Sequence, residues 1–158
     1  MKTVTRQTTI PEKSVIANGF DKIDYCDTYR MVKATNDTAE EIAAKILKPR
    51  KWVNWLMRIR DSVVGILGLK TSKEIVEGSK SDFPIIENRE NEIVMDENDK
   101  HLDFRASIFV DRENSFIYLI TIVHFNNFFG RLYFLPVKPF HKIIVKSSLK
   151  RQLIENHK

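Results

Sequence analysis

The sequence predicts an α+β fold in which a curved antiparallel sheet wraps on a long C-terminal helix. Two observations carry this prediction. Residues 100–125 contain two long runs rich in β-branched and aromatic residues, separated by the turn-forming residues 111–114. Residues 139–153 instead repeat apolar residues at the spacing of a helix. Strands joined by short turns and then followed by helix are typical of α+β domains.

Composition places the chain among globular proteins with one domain. Its 158 residues are 42% hydrophobic and 30% charged, which is enough apolar material for a core. We expect an extended N-terminal arm over residues 1–22 and a single domain over residues 23–158. The chain shows no signal peptide and no apolar run long enough for a membrane span, and Cys26 is its only cysteine. A cytoplasmic location and no membrane partner are therefore expected.

The first half of the predicted domain contains one strand and two helices. Aromatic residues in the segment 23–33 favour a strand, either at a sheet edge or in a cavity wall. Capping residues at 35–38, followed by Glu40 and Glu41, predict a helix that ends near Lys48, because Pro49 disfavours helical geometry in the residue before it. A second helix, forming a pair with the first, is expected after Pro49. Its apolar positions are Trp52, Leu56, Ile59, Val63, Ile66 and Leu67.

About five antiparallel strands are expected in the second half. Short strands are predicted at 83–88 and 92–95, and long strands at 100–110 and 115–125. A further strand is expected over Gly130–Val137. The final helix is expected to begin at Pro139, since proline is favoured in a first helical turn.

Pairing the two long strands across a four-residue turn predicts which side chains share a face. One face is then almost purely apolar and the other is mixed, which supports this register. The Gly130–Val137 strand would add Phe134 to the apolar face and Arg131 to the mixed face. The apolar face would meet a helix stripe of Phe140, Ile144, Val145, Leu149 and Leu153, while Lys142, Lys146 and Lys150 face solvent. The predicted mixed-face pairs are His101–His124, Asp103–Ile122, Arg105–Ile120 and Ser107–Tyr118.

Three short segments give the sequence a family resemblance. They are HLDFR at 101–105, GRLY at 130–133 and PFHKII at 139–144, with weaker support from residues 24–27 and 55–61. In these segments the chain resembles the bacterial domain-of-unknown-function 2867 family. Its order of elements is also similar to the helix-grip architecture of the START, polyketide-cyclase and Bet v 1 group. The resemblance implies a fold and no established activity.

A small-molecule site is the leading functional expectation. The helix-grip resemblance implies a space between the apolar sheet face and the last helix, and apolar spaces of this kind bind apolar or amphipathic molecules. We therefore expect a binding module rather than an enzyme, with no cofactor, no metal and no assigned catalytic residue. The expected lining residues are Trp55, Phe104, Ile108, Thr121, Phe134 and Ile144.

Two alternatives rest on a polar cluster. The first is a hydrolase, cyclase or isomerase that uses Asp103, Arg105, His124 and His141, at least two of which would converge on one cleft. The second is a homodimer formed through the mixed sheet face.

A metal between the facing histidines would need a third protein ligand. The net charge of +5 comes without a nucleic-acid-binding motif, so nucleic acid is not expected as a partner. The polar cluster on which the enzyme and homodimer alternatives rest comprises His101, Asp103, Arg105, His124, Arg131 and His141.

Overall fold

A computed structural model of the protein describes residues 4–47, 65, 84–98 and 101–154. These residues include six strands and two helices, a short one and a long one. The strands are β1 (Val4–Gln7), β2 (Tyr25–Val32), β3 (Ile85–Asn88), β4 (Glu92–Asn98), β5 (Leu102–Asp111) and β6 (Phe116–Phe125). The helices are α1 (Ala39–Ile46) and α2 (Phe128–Ile154).

The strands form one open, curved sheet in the order β1-β2-β6-β5-β4-β3. All neighbouring strands are antiparallel. Both α1 and α2 pack against the same face of the sheet, which we call the helix face. The predicted α+β class, with a curved antiparallel sheet and a long C-terminal helix, is thus confirmed. The second predicted helix falls almost entirely outside the described residues.

Helix α1 begins where the sequence predicts it. The Glu41 N–H donates to Thr38 Oγ1 at 3.2 Å, and the Thr38 N–H donates to the Glu41 carboxylate at 2.8 Å. This capping box satisfies two N–H groups that the first turn would otherwise leave unpaired. The apolar side of α1 then packs on the sheet through Ala39, Ile42, Ala43 and Ile46.

Strands β5 and β6 pair two residues away from the predicted register. Asp103, rather than His101, lies opposite His124, and Arg105 lies opposite Ile122. The turn begins one residue later than expected, because the Asp111 carboxylate accepts hydrogen bonds from the Asn114 backbone and side chain. A shift of two residues preserves the face of each side chain, since the strand period is two. The predicted faces are therefore correct, and the predicted pairs are wrong.

The strand predicted over Gly130–Val137 is wrong, because α2 is already helical from Phe128. Strand β6 has β2 and β5 as its neighbours, so no free edge remains beside it for another hairpin strand. Asn127 starts the helix instead, since its Oδ1 accepts a hydrogen bond from the Gly130 N–H at 3.1 Å. The helix continues through Pro136 and Pro139, although each proline removes one helical hydrogen bond.

Each face of the sheet has its own buried cluster. On the helix face, Ile108 and Leu119 pack with Val145 and Leu149 of α2. The opposite face is covered by residues 8–22, which we call the covering segment. Ile16 of this segment is fully buried against Phe109, Ile120 and Ile122. The predicted arm therefore supplies β1 and the cover of one sheet face, while the division into an arm and a domain stays a prediction.

Gly130 allows the first turn of α2 to approach the start of β5. A Cβ atom at this position would overlap the carbonyl oxygen of His101 and lie 2.9 Å from its carbonyl carbon. These are backbone atoms of a neighbouring element, so a rotamer change cannot relieve the overlap. Gly130 is thus required by close packing.

We predict that Gly130→Ala lowers the free energy of unfolding by about 2 kcal/mol. Overpacking costs about 1–3 kcal/mol or more and outweighs a gain of about 1 kcal/mol in helix propensity. Urea denaturation followed by circular dichroism measures the change. Lys150→Ala, an exposed substitution in the same helix, should stay within about 0.5 kcal/mol of the wild type. Equal stability of Gly130→Ala and the wild type would contradict this packing.

Candidate functional site

The helix face of the sheet carries a fully buried carboxylate, Asp27 in β2. Arg6 Nε donates to its Oδ1 at 2.5 Å, and the Tyr25 hydroxyl donates to its Oδ2 at 2.9 Å. A buried charge is tolerated when it is paired and hydrogen-bonded in this way. The Arg6 side chain is 40% exposed. The network therefore connects solvent at the sheet edge with the interior beneath α2.

Strand alternation and the pairing of β1 with β2 explain why Arg6, Tyr25 and Asp27 lie close together. Tyr25, Asp27 and Tyr29 alternate along β2, so all three face the same side of the sheet. Strand β1 pairs Arg6 with Tyr29, which places the guanidinium diagonally next to Asp27. A charged residue thus occupies a core-facing position of an inner strand, because a second strand supplies its counter-ion.

Two further polar atoms lie buried in this region without a hydrogen-bond partner among the described residues. Thr121 is directly opposite Asp27 on β6 and only 1% exposed, and its Oγ1 is unpaired. His141 comes from α2, and its Nε2 is also buried and unpaired. The His141 ring meets Phe104 edge-on, with 6.3 Å between the ring centroids. The sheet and the helix therefore each contribute one unpaired polar atom to their interface.

The protonation of these groups follows from burial. Burial lowers the pKa of His141, the Asp27 carboxylate opposes this shift, and Lys142 adds to it. The imidazole is therefore neutral at pH 7, and either ring nitrogen can donate or accept depending on the tautomer. Burial also raises the pKa of Tyr25, so its hydroxyl keeps its proton and remains a donor to Asp27.

Aromatic side chains surround the polar group. The ring centroid of Phe134 on α2 lies 4.7 Å from that of Tyr25 and 5.4 Å from that of Phe125. The Lys138 ammonium lies 5.1 Å from the centroid of the Tyr25 ring. A few polar groups within an aromatic wall are typical of sites that orient a mostly apolar ligand.

The predicted pocket residues that are described belong either to the helix face of the sheet or to α2. Phe104, Ile108 and Thr121 lie on the helix face, and Phe134 and Ile144 belong to α2. Phe134 reaches the interface from the helix rather than from a strand. Trp55 lies outside the described residues. That these residues bind a ligand stays a prediction.

Sequence reasoning missed Arg6, Tyr25 and Asp27. The available signal was Asp27 itself, a charged residue at the same strand phase as Tyr25 and Tyr29. The counter-ion Arg6 is 21 residues away in the part of the chain expected to be an arm. Without the β1–β2 pairing, nothing in the sequence links the two residues.

The predicted polar cluster does not assemble at one place. His141 is on the helix face, whereas Asp103, Arg105 and His124 project from the opposite face of the sheet. The enzyme alternative required at least two of these four side chains to converge on one cleft. The sheet separates His141 from the other three, and a cleft shared by Asp103, Arg105 and His124 stays a prediction. Arg131, expected on the mixed face, lies 5.4 Å over the Phe125 ring on the helix face.

The remaining members of the cluster have local structural partners. His101 Nδ1 lies 3.2 Å from Asn127 Oδ1, and Asp103 Oδ1 accepts a hydrogen bond from Asn126 at 3.1 Å. His124 Nδ1 lies 2.8 Å from the Asp24 carboxylate. A hydrogen bond from the Phe125 N–H lowers the pKa of Asp24 to about 2, and Lys22 and His124 contribute to the shift.

Arg105 anchors the covering segment to the sheet. Its Nη1 donates to the carbonyl oxygens of Ile16 and Asn18 at 2.9 and 2.7 Å, and its guanidinium lies 4.9 Å over the Phe20 ring. Asp96 balances its charge with a closest separation of 3.3 Å. Around Arg105 the mixed face is thus covered by the same chain, and the guanidinium is not presented to a second copy.

Glu92 provides a second anchor for the covering segment. Its buried carboxylate accepts hydrogen bonds from the Ser14 hydroxyl at 2.6 Å and the Val15 N–H at 2.8 Å. The Ser107 hydroxyl of β5 donates to the same carboxylate at 2.6 Å. The segment is therefore held at two points by charged groups that reach its backbone.

We predict that Arg105→Met lowers the free energy of unfolding by about 3 kcal/mol, because it leaves Asp96 and two carbonyl oxygens without their buried partner. Amide hydrogen exchange should accelerate in residues 14–20 more than in β6. Arg89→Met removes an exposed ion pair with Glu87 and should cost less than about 1 kcal/mol. Unchanged exchange in residues 14–20 would contradict an anchoring role for Arg105.

We predict that His141 makes stability depend on pH. Because its folded pKa lies below its unfolded value of 6.5, the unfolded state binds the proton first. Stability is then full above pH 6.5 and falls as the pH drops toward the folded pKa. Urea denaturation between pH 8 and pH 5 should show a smaller decline for His141→Gln than for the wild type. Parallel declines in the two proteins would argue against a neutral, buried His141.

One protein-family model matches most of the chain. Residues 19–148 match a family described as "Protein of unknown function (DUF2867)". No curated protein and no solved structure matches the chain significantly. The matched range includes β2, α1, every later strand and most of α2. Because the match spans well over half of the chain, the protein belongs to the DUF2867 family.

Proposed function

We propose that the protein binds a small apolar or amphipathic molecule between the helix face of its sheet and α2. The observation that carries this proposal is the pair of buried polar atoms, Thr121 Oγ1 and His141 Nε2, that lack partners among the described residues. An unsatisfied buried polar atom costs about 1–3 kcal/mol. A ligand with one hydrogen-bonding group between the helix and the sheet would recover that free energy.

The charges of the site favour an uncharged polar group on the ligand. Asp27 is already balanced by Arg6, and both of its oxygens accept hydrogen bonds. Neither the paired Asp27 nor His141, which is held neutral by burial, therefore offers an unbalanced charge to an ionised ligand. A ligand hydroxyl or carbonyl matches the donor and acceptor capacity of Thr121 and His141.

The apolar part of the ligand would contact the aromatic side chains around this polar pair. Phe104, Phe125 and Phe134 supply large apolar surface on both sides of the interface. The proposal includes the helix-grip relationship, in which a curved sheet and a C-terminal helix enclose a ligand. In this proposal the protein acts as a binding module, and Arg6, Tyr25 and Asp27 fix the wall of the site.

The test compares Thr121→Val with Thr28→Val. Both substitutions remove a hydroxyl from a buried threonine without changing its shape, but Thr28 lies on the opposite sheet face. The probe is 1-aminoanthracene, an apolar fluorophore with one uncharged hydrogen-bonding group. We expect wild type and Thr28→Val to bind it equally, and Thr121→Val to bind about tenfold more weakly, the effect of losing about 1.4 kcal/mol of hydrogen bonding.

Native mass spectrometry of the protein purified from cells provides a second measurement. A small molecule should remain bound to the wild type and to Thr28→Val, and its occupancy should fall in Thr121→Val. Absence of both a retained molecule and probe binding in the wild type would overturn the proposal. Equal probe affinity of the two threonine variants would exclude this polar pair as the recognition element.

A further inference from the structure

The net positive charge of the protein is concentrated on α2. This helix contains six basic residues and no acidic residue among its 27 positions. The remainder of the chain has 20 basic and 21 acidic residues and is close to neutral. The excess charge of +5 is therefore a local property of one element rather than an even basic surface.

The outward side of the same helix is apolar. Phe128 is 70% exposed, Leu135 67% and Ile143 52%. Steps of seven and eight residues return to the same side of a helix, so these side chains lie in one line. Leu132 and Pro139 occupy the turns between them. We call this line the outer stripe, which comprises Phe128, Leu132, Leu135, Pro139 and Ile143.

Basic residues accompany the outer stripe. Lys146 and Lys150 are exposed and continue its line toward the C-terminus, while exposed Arg131 and half-buried Lys142 lie along one side of it. Exposed aromatic and leucine side chains with adjacent lysines are typical of helices that lie in a membrane interface. Apolar side chains enter the acyl boundary there, and the ammonium groups reach the lipid phosphates.

We propose that α2 docks the protein onto an anionic membrane surface through the outer stripe and its basic neighbours. An uncharged protein partner would use the apolar stripe but would leave the charge excess of α2 unused. Nucleic acid would use the charge but would leave Phe128 and Leu135 exposed to water. An anionic lipid surface satisfies both features, because it offers negative head groups next to an apolar layer.

The helix lies on the membrane in this proposal and does not cross it. Among the described residues, no helix combines the length and apolar character needed for a span. A length of about 40 Å is consistent with a helix lying parallel to the surface. The expectation of no membrane partner rested on the lack of a spanning segment, which does not bear on surface binding.

Vesicle flotation tests the proposal with the full chain. Wild type should bind vesicles of phosphatidylcholine with about 30% phosphatidylglycerol at least about tenfold more tightly than pure phosphatidylcholine vesicles. About 0.5 M salt should remove most of this difference, because it screens the attraction of the lysines to the lipids. The double variant Lys146→Glu/Lys150→Glu should lose about tenfold or more in affinity for the anionic vesicles.

The apolar contribution has its own matched control. The pair Phe128→Ser/Leu135→Ser should also weaken binding about tenfold or more, because it removes side chains that enter the lipid layer. Ile85→Ser and Val32→Ser change residues that are exposed to a similar extent on the sheet and should leave binding unchanged. Circular dichroism melting confirms that each variant is folded, as expected for exposed positions.

Two results would overturn the proposal. One is a failure of the folded wild type to float with anionic vesicles, which would leave an acidic protein partner as the alternative for this surface. The other is equal binding by wild type and by both double variants. The Thr121→Val variant should bind vesicles as the wild type does, so failure of the ligand site and failure of membrane docking are distinguishable.

Discussion

The fold depends on the need to cover both faces of its central strands. Strands β5 and β6 are apolar on both sides, with Ile108 and Leu119 facing the helices and Phe109 and Ile120 facing away from them. An antiparallel sheet of this kind cannot leave either face in water. Helix α2 covers one face of these strands, and the covering segment covers the other. The positions of Arg105, Glu92 and Gly130 all follow from holding these two covers in place.

Buried polar groups differ in how completely they are hydrogen-bonded on the two faces of the sheet. Under the covering segment, Arg105 and Glu92 reach backbone atoms of residues 14–18, and their hydrogen bonds fix one extended segment in a single place. Under α2, Asp27 is fully paired, yet Thr121 and His141 keep unpaired atoms among the described residues. Burial of polar groups is costly on both faces. Within the part of the chain that the structure describes, only the helix face leaves that cost partly uncompensated, which is the physical reason for placing the proposed ligand there.

The sequence predicted features that depend on local rules. The alternation in β5 and β6 assigned every side chain to its correct face, and Thr38 with Glu41 marked the start of α1. The prediction failed where an element distant in sequence determined the local structure. Residues 130–137 include the aromatic residues Tyr133 and Phe134, which favour a strand, but β2 already occupies the edge of β6 that such a strand would need. Asn127 was the available sign of a helix start, and its role depends on the backbone that follows it.

The site was predictable only in part for the same reason. Phe104 and Thr121 were assigned to the correct face from the β5–β6 pattern alone. Arg6 could not be found, because it joins Asp27 through the pairing of β1 with β2 across 21 residues of chain. His141 was recognised as a candidate but grouped with residues of the opposite face, since the geometry of α2 decides which surface it meets. When a charged residue occupies a core-facing strand position, its counter-ion should therefore also be sought among elements that are distant in sequence.

Helix α2 connects the two proposals because its sides have different surroundings. His141 and Phe134 face the sheet, while Leu135 and Ile143 face outward, so adjacent residues of one helix contact the proposed ligand and the proposed membrane. A molecule that is mostly apolar partitions into membranes more readily than into water. A helix that lies on the membrane and also covers the site would shorten the path of such a molecule between lipid and protein. Pro136 and Pro139 each remove a backbone hydrogen bond from the helix between these two surfaces. Both prolines lie in the part of α2 that carries Phe134 and His141, before Val145 and Leu149 join the core.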